Sequence, residues 1–266
     1  MATLRIRRQR LGQHFLRDPA TAHAIVAALA DTPPRVLEIG PGRGDLTRPL
    51  LERFSMVRAV ELDERLAAAL PGRLGSPAHL DVRHGDGLAL DLDGLAEGGP
   101  WQVAANLPFS VGTPILRRLL PRHDLFTVLV VMVQVEVGRR LVAPDGGTGR
   151  GLLTLEAEAY ARAELLFTVP PRCFSPPPRV TSAVVRLALH PSPAPPGTVE
   201  RALGLASVAF THRRKKLANA LASIGSSDDI AAALVAVGAR DDMRPQDPSL
   251  ELWLALAGAL PASRSA

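Results

Sequence analysis

The sequence predicts an α/β fold with a doubly wound, mostly parallel sheet, followed by a small domain made only of helices. Short β-prone runs alternate with helical patterns through the first part of the chain, as they do where helices connect parallel strands. Beyond the proline-rich linker at 190–197, residues 198–261 show helical patterns only. We therefore predict two domains, residues 1–190 and residues 191–266.

The predicted elements follow one another in a regular order. Asp18 is a suitable N-cap for the first helix, with Pro19 at its first position. The β-prone runs are 36–39, 57–60, a segment that ends at His84, 102–105, 126–133 and 180–189. The helical patterns of this domain are 20–30, 46–54, 66–74 and one that begins at 115–120. The run 126–133 is apolar at both alternating positions, which is typical of a strand buried on both faces.

The composition narrows the class of protein. A hydrophobic content of 47% and a charged content of 21% fit a globular chain. No apolar run approaches the ~18 residues of a membrane span, and the basic N-terminus lacks the apolar core of a secretory signal, so we expect a cytoplasmic protein. The single cysteine, Cys173, excludes an intrachain disulfide and a cysteine-rich metal site, and we expect it to have no chemical role.

The charge of the chain favours a polyanionic partner. The formal net charge is +5 at pH 7. Only Lys215 and Lys216 are lysines, and all other basic residues are arginines. Genomic base composition and phosphate binding explain this preference for arginine equally well.

The loop after the first predicted strand indicates a nucleoside-containing cofactor. It reads Gly40-Pro41-Gly42-Arg43-Gly44-Asp45, and its glycines let the backbone come close to a ligand without a Cβ in the way. Glu61 follows Gly42 by 19 residues, at the end of the second strand, where an acidic side chain can bind ribose hydroxyls. A dinucleotide loop would have its third glycine where this chain has Asp45. The spacing argues against a dinucleotide. With Glu38 included, the loop reads E-x-G-x-G-x-G and resembles the first motif of the S-adenosylmethionine-dependent methyltransferases, which implies that cofactor. A purely structural turn is the alternative.

Two later strand ends carry groups suited to adenine. Asp86 lies between two glycines, which usually indicates only a turn. The resemblance to the methyltransferases implies instead that its carboxylate accepts a hydrogen bond from the adenine amine of the cofactor. The tetrapeptide Asn106-Leu107-Pro108-Phe109 follows the fourth strand. The Asn106 side-chain carbonyl and the Leu107 backbone carbonyl can accept the hydrogens of a substrate amine, while Pro108 fixes the backbone and Phe109 stacks on the base. We predict methyl transfer, without a metal, to an adenine that is unpaired or flipped out.

Motifs along nearly the whole chain resemble, in order, those of the rRNA adenine dimethyltransferases, most closely the bacterial small-subunit group. The matching segments are 12–16, 38–42, 61–63, 85–86, 106–109, 132–137, 174–180 and 182–185. The resemblance implies transfer of methyl groups from S-adenosylmethionine to the N6 atoms of two adjacent adenines near the 3′ end of 16S rRNA. The implied binding partner of the protein is that rRNA or an assembled small subunit. Nothing in the sequence requires an oligomer larger than a monomer.

The resemblance also implies a set of site residues. The expected catalytic residues are Asn106, Leu107, Pro108 and Phe109. The expected cofactor-site residues are His14, Leu16, Gly40, Gly42, Glu61, Asp86 and Asn106. Three positions depart from the family pattern: Phe109 replaces a usual tyrosine, Val135 a common lysine and Arg150 a frequent aromatic residue.

Three other functions compete with this prediction. Large-subunit rRNA adenine methyltransferases of the antibiotic-resistance type share the fold, but they more often have isoleucine where this chain has Leu107. DNA adenine methyltransferases more often carry a second proline in the tetrapeptide. A non-catalytic RNA-binding assembly factor could also keep the fold, although the intact set of site residues argues against it.

Two basic segments are candidates for contact with RNA. Arg213, Arg214, Lys215 and Lys216 are four adjacent cations that we predict at the start of a helix. They form either a solvated face or, as we favour beside an adenine-modifying domain, a phosphate-binding site whose affinity falls with salt. The basic arm at 1–12 is either disordered or becomes ordered on an anionic ligand.

The turn-rich loop at 144–151 is either a lid or an ordinary surface loop.

Overall fold

The computed structural model describes residues 13–95, 97–195 and 197–260, apart from the side chain of Leu95. The basic arm predicted at 1–12 lies outside the described residues. The chain divides into two compact units. The sheet unit comprises Met1–Gly138 and Arg162–His190, and the helical unit comprises Arg139–Ala161 and Pro191–Ala266. The domains predicted from sequence assigned 139–161 to the first domain, whereas this division groups these residues with the C-terminal segment.

The strands form one large sheet and one small sheet. Their bounds are β1 Phe15–Leu16, β2 Arg35–Ile39, β3 Met56–Glu61, β4 Leu80–His84, β5 Trp101–Asn106, β6 Phe126–Gln134, β7 Ala161–Val169, β8 Phe174–Ser175 and β9 Ser182–Leu189. The large sheet has the order β4-β3-β2-β5-β6-β9-β7. Strands β2 to β6 pair in parallel, β9 is antiparallel to β6, and β1 pairs with β8 in a separate antiparallel ladder. The predicted doubly wound, mostly parallel sheet is therefore confirmed.

Helices connect these strands and form the C-terminal segment. Their bounds are α1 Pro19–Ala27, α2 Thr47–Arg53, α3 Glu64–Arg73, α4 Leu92–Leu95, α5 Gly112–Leu119, α6 Val135–Leu141, α7 Leu152–Tyr160, α8 Thr198–Phe210, α9 Leu217–Ala220, α10 Ser227–Ala236 and α11 Leu250–Ala259. The predicted cap of the first helix is confirmed, since the Asp18 carboxylate accepts a hydrogen bond of 2.9 Å from Thr21 N and Pro19 begins the helix. No helix in the described ranges is long and apolar enough to cross a membrane.

One strand of the large sheet was not predicted. Strand β7, Ala161–Val169, lies at the end of the strand order, and charged side chains such as Arg162 and Glu164 interrupt its apolar sequence. Edge strands have one partner fewer and often carry charges, so their pattern differs from that of a buried strand. The apolar run that forms β6 was predicted because that strand has neighbours on both sides.

The chain order of the large sheet reverses at β2. This strand pairs with β3 on one side and with β5 on the other, so the connections leave it in opposite directions. In such sheets, a crevice forms outside the carboxyl ends of the two strands that flank the reversal. Gly40 follows β2 and Asn106 ends β5 at this place, which positions two of the predicted site residues side by side.

The helical unit has its own apolar core. It surrounds Trp253, which is fully buried on α11, and includes Leu155 of α7, Ala206 of α8 and Leu221. The apolar face of α7 is what brings the 139–161 segment into this unit. The described part of 198–260 contains helices and turns only, in agreement with the all-helical prediction for these residues.

Candidate active site and basic surface

A cleft of about 110 Å³ opens at the carboxyl ends of β2 and β5. All residues predicted for the cofactor and the catalytic step line it: His14, Leu16, Gly40, Gly42, Glu61, Asp86, Asn106, Leu107, Pro108 and Phe109. They come from segments far apart in the chain, and parallel pairing brings the strand ends to one edge of the sheet. The structure therefore assembles one site from these positions.

The loop 40–45 requires glycine at Gly42. This residue has a φ of +58°, and a Cβ built on it would lie 2.9 Å from two ring carbons of Phe15. Phe15 belongs to β1, and the Arg43 guanidinium lies over its ring at 4.6 Å from the centroid. The segment before α1 is thus packed directly on the loop.

Glu61 is fixed by backbone donors at the end of β3. Its carboxylate is 4% exposed, with Oε2 accepting a hydrogen bond of 2.9 Å from Gly42 N and Oε1 accepting one of 2.9 Å from Asp63 N. Burial raises the pKa of Glu61, while the backbone hydrogen bonds from Asp63 and Gly42 act in the opposite direction. The side chain joins the loop 40–45 to the start of α3.

Glu38 is a second buried carboxyl in the cleft, and sequence reasoning did not assign it a role. It is 1% exposed on β2 and lines the cleft, and its Oε2 has no hydrogen-bond partner among the described residues. Burial raises its pKa to about 8; the Thr47 hydroxyl opposes this shift, and the charges of Glu61 and Asp45 add to it. The signal for Glu38 was present in the sequence, because it is the acidic residue that opens the glycine motif.

The cleft is acidic although the chain as a whole is basic. Four carboxyl groups line it, from Glu38, Asp45, Glu61 and Asp86, and no lysine or arginine in the described ranges does so. Such a lining favours a cationic ligand and disfavours a pyrophosphate.

Arg118 of α5 supports the turn that carries Asp86. Asp86 Oδ1 accepts a hydrogen bond of 2.9 Å from Leu88 N. The Arg118 guanidinium donates to three carbonyls of the same turn, those of Gly87 (3.4 Å), Leu88 and Leu90 (2.6 Å). Because α5 directly follows the tetrapeptide, Arg118 connects two sides of the cleft. An arginine within a helical pattern gave no sign of this role in the sequence.

The tetrapeptide presents two unused acceptors. Leu107 N donates to Met132 O at 3.1 Å, which continues the pairing of β5 with β6. Asn106 Nδ2 donates to His14 O at 3.1 Å, and this bond sets the orientation of the amide. Among the described residues, neither Asn106 Oδ1 nor the Leu107 carbonyl oxygen has a hydrogen-bond donor. The Phe109 ring lies 5.6 Å from the imidazole of His14, centroid to centroid, at an interplanar angle of 34°.

Contacts with the segment 173–176 hold the residues around His14 in place beside the cleft. His14 Nδ1 lies 2.8 Å from the Pro176 carbonyl oxygen, and Arg17 N donates to Cys173 O at 2.8 Å.

Phe109 also lines a smaller recess beside Gly112, Thr113 and Gln134. Cys173 is half-buried and packs against the core of the sheet unit. In the described part of the chain, no group of three metal-ligating side chains occurs.

The predicted helical position of the four cations is wrong. Residues 211–216, which we name the cationic turn, form an exposed turn, and α9 begins only at Leu217. The reason is local: after Phe210 ends α8, Thr211 N donates to Val208 O, His212 N to Ala209 O and Lys215 N to His212 O, which are three-residue steps of turns in place of the four-residue steps of an α-helix. Arg213 Nη2 donates to the carbonyls of Thr148 (3.0 Å) and Arg150 (2.7 Å).

The other three cations of the turn differ in their contacts. Lys216 Nζ lies 2.8 Å from Asp241 Oδ2. Arg214 and Lys215 have no side-chain partner among the described residues, and both are exposed. Only these two of the four predicted cations present their charges without an internal contact.

The fold and the cleft together define a methyltransferase: a doubly wound sheet, a glycine loop with acidic residues, and an Asn-Leu-Pro-Phe segment at the switch point. The chain belongs to the ribosomal RNA adenine dimethylase family, whose model matches residues 5–260.

Named relatives agree with this membership. The chain is 41% identical over 234 residues to the ribosomal RNA small subunit methyltransferase A of Methylococcus capsulatus, covering 88% of this chain and 91% of that protein. It is 40% identical to the protein of the same name from a Synechococcus species, covering 95% and 96%.

Solved structures show the same fold. The 23S rRNA methyltransferase ErmE superposes with a TM-score of 0.72 at 26% identity, covering 92% of this chain and 99% of that one. A dimethyladenosine transferase from Plasmodium falciparum also reaches 0.72, at 21% identity, with coverage of 91% and 96%.

Proposed function

We propose that this protein transfers methyl groups from S-adenosylmethionine to the N6 atoms of two adjacent adenines near the 3′ end of small-subunit rRNA, producing N6,N6-dimethyladenosines. One observation carries the proposal: the two unpaired acceptors, Asn106 Oδ1 and the Leu107 carbonyl oxygen, lie side by side in the chain at the end of an acidic cleft. The names of the relatives support the choice of rRNA.

The residues of the cleft fit the proposed methyl donor. S-adenosylmethionine carries a sulfonium and an ammonium group, and it supplies an already activated methyl. The acidic lining suits these cations, and the Oε2 atom of Glu38 is a buried polar atom whose hydrogen-bonding capacity is left for a ligand. In this proposal, Glu61 would bind the ribose hydroxyls of the donor and Asp86 would accept a hydrogen bond from its adenine amine.

The tetrapeptide would activate the substrate amine by geometry. The lone pair of an adenine amine is delocalised into the ring, so the amine is planar and a weak nucleophile. Asn106 Oδ1 and Leu107 O would each accept one amine hydrogen, which favours a pyramidal nitrogen with its lone pair directed at the methyl group. The new N–C bond forms as the S–C bond breaks, and the amine then loses a proton. Proximity and alignment therefore supply most of the catalysis, and Phe109 holds the base by stacking.

The small-subunit substrate is favoured over the large-subunit alternative. Identity is 41% to a protein named for the small subunit but 26% to the 23S rRNA enzyme. We also propose that the protein acts as a monomer in the cytoplasm, on rRNA in a partly or fully assembled small subunit. Arg214 and Lys215 would contact its phosphates.

The proposal is tested with labelled S-adenosylmethionine and small subunits that lack the methyl groups. The wild-type protein should label two adjacent adenines near the 3′ end, as dimethyladenosine. Asn106→Ala should lower the rate by about 10²-fold, by analogy with the loss of one preorganised hydrogen bond in other active sites. Asn219→Ala, which alters an exposed asparagine of α9, is the matched control and should leave the rate unchanged.

Two outcomes would contradict the proposal. Label in large-subunit RNA would support the antibiotic-resistance type of enzyme. Tight binding of small subunits without any label would support a non-catalytic assembly factor.

A further inference from the structure

The exposed loop at 144–149 is anchored in the helical unit by a buried arginine. Arg150, at the end of this loop, is 0% exposed. Its guanidinium contacts both carboxylate oxygens of Glu158, at 2.5 and 2.8 Å, and Asp145 at 2.9 Å. It also reaches the Pro248 carbonyl oxygen at 3.4 Å. The single positive charge of Arg150 offsets one of these two negative charges, so the cluster keeps one net negative charge and an anion at the loop would depend on the cations of the neighbouring turn.

Arg213 connects this loop to the cationic turn. Its Nη2 donates to the carbonyls of Thr148 and Arg150, at 3.0 and 2.7 Å, and its guanidinium lies 5.7 Å from the centroid of the Phe210 ring. An arginine that contacts two backbone carbonyls is held in one orientation, and the groups it contacts are held with it. The contact fixes Thr148 directly beside the turn that carries Arg214 and Lys215.

The loop itself is shaped for close approach of an anion. Gly146 has a φ of +70°, and a Cβ added to it would meet nothing within 4 Å. Gly146 N donates a hydrogen bond to the Gln246 carbonyl oxygen. The backbone N–H groups of Thr148 and Gly149, in contrast, have no acceptor in the described ranges. Exposed backbone N–H groups in a glycine-rich turn can bind phosphate oxygens, and glycine leaves room for them.

We propose that Arg213 is a positioning residue, not a phosphate contact, and that it fixes the 144–149 loop next to Arg214 and Lys215 so that the loop and these two cations form one surface for an RNA sugar–phosphate backbone. The inference rests on the proposed function for its ligand. It assigns the four cations different tasks: two contact phosphate, one positions the loop, and Lys216 pairs with Asp241. It also gives the 144–149 loop a role as an RNA-facing surface.

The test compares Arg213→Ala with Lys215→Ala by two measurements on the full-length protein. Amide hydrogen exchange reports on residues 144–151, and affinity for small subunits lacking the methyl groups is measured at several salt concentrations. Lys215→Ala should reduce the slope of log affinity against log salt by about 0.7 to 0.9, the value for one phosphate contact, and leave exchange in the loop unchanged. Arg213→Ala should accelerate exchange at Arg150 and Gly151, whose N–H groups donate to Gly147 O and Thr154 Oγ1, and should weaken binding, with a smaller change in slope.

A further pair of variants tests the loop surface. Thr148→Glu adds a negative charge on the exposed loop, keeps the backbone carbonyl that Arg213 uses, and should weaken binding by about tenfold at low salt. Arg240→Ala is the matched control for the loss of an arginine, because Arg240 is exposed in the same unit and paired with Asp242. It should leave loop exchange unchanged and affect binding less than either turn variant.

Three results would overturn the inference. Arg213→Ala could lower the salt slope as Lys215→Ala does while the loop exchanges at the wild-type rate, which would make Arg213 a phosphate contact. Unchanged binding by Thr148→Glu would remove the loop from the surface. If Arg213→Ala neither accelerated exchange nor weakened binding, the positioning role would be wrong. Failure of the wild-type protein to bind rRNA would instead refute the proposed function, and loop exchange would still report on Arg213.

Discussion

The cleft and the cationic turn both present charges to a proposed charged ligand, but they hold these charges in different ways. In the cleft, Glu61 is almost completely buried at the end of β3, and backbone N–H groups hold its carboxylate. In the cationic turn every residue is exposed, and the ion pair between Lys216 and Asp241 is accessible to solvent. Burial makes each hydrogen bond expensive to lose, whereas solvent replaces a lost surface contact. The same kind of substitution should therefore have large effects in one region and small effects in the other.

The largest effect is expected from Glu61→Gln. An amide can accept from only one side, so its NH2 group would face either Gly42 N or Asp63 N, and one buried donor would lose its acceptor. We expect the dissociation constant for S-adenosylmethionine to rise about 10²-fold, measured by calorimetry. Glu64→Gln, in the exposed first turn of α3, is the matched control. Equal affinities of the two variants would contradict a binding role for Glu61.

Arg118→Ala should have the next largest effect. Its loss frees three carbonyls of the turn that carries Asp86. We expect the dissociation constant for S-adenosylmethionine to rise about tenfold, the equivalent of one or two hydrogen bonds, while the rate at saturating donor stays near wild type. Arg117→Ala, at the exposed neighbouring position, should change neither quantity. A fall in the saturated rate with unchanged donor affinity would show that Arg118 acts on the tetrapeptide instead.

Glu38→Gln should change the pH dependence of stability. The pKa of Glu38 is raised from 4.5 to about 8, so above pH 4.5 the unfolded chain releases a proton that the folded protein still holds. The wild-type protein therefore loses stability from this group as the pH rises from 4.5 to about 8. The variant should match wild type near pH 4.5 and be more stable by at least about 1 kcal/mol at pH 8.

The measurement is the free energy of unfolding by urea across this pH range. Glu52→Gln, at an exposed position of α2, should show no such dependence. A variant that is less stable than wild type at pH 8 would show that Glu38 is ionised in the folded protein.

The smallest effect is expected from Lys216→Ala. The ion pair with Asp241 is exposed to solvent, and such pairs contribute little. Neither the melting temperature nor the affinity for small subunits should change measurably. A marked loss of RNA affinity would make Lys216 a phosphate contact and would reduce the contrast between the two regions.

Topology explains why the sequence could indicate which residues lie together at one edge of the sheet. Gly40, Glu61, Asp86 and Asn106 each follow or end a strand, and the carboxyl ends of parallel strands must meet at one edge of the sheet. Once the strands are recognised, the proximity of these residues needs no knowledge of side-chain packing.

The contacts of single arginines could not be predicted in the same way. Nothing in a run of four cations indicates that Arg213 contacts two carbonyls more than sixty residues earlier. Arg150 stood out only as a replacement for an aromatic residue, yet it is fully buried. Arginine is long and flexible, so its partner depends on which carbonyls and carboxylates the fold happens to bring within reach. Strand β7 was not predicted because charged residues interrupt the apolar pattern by which a buried strand is recognised.

The hydrogen bond from Asn106 Nδ2 to the His14 carbonyl oxygen has a consequence for which mutations this chain can accept. An aspartate is nearly the same shape as asparagine, and a single nucleotide change can interconvert their codons. Its carboxylate has only acceptors, however, and would place a negative oxygen against the carbonyl of His14. The constraint comes from a backbone atom, so replacing the His14 side chain would not relieve it. The backbone carbonyl of His14 therefore favours asparagine over the similarly shaped aspartate at a position 92 residues later in the chain.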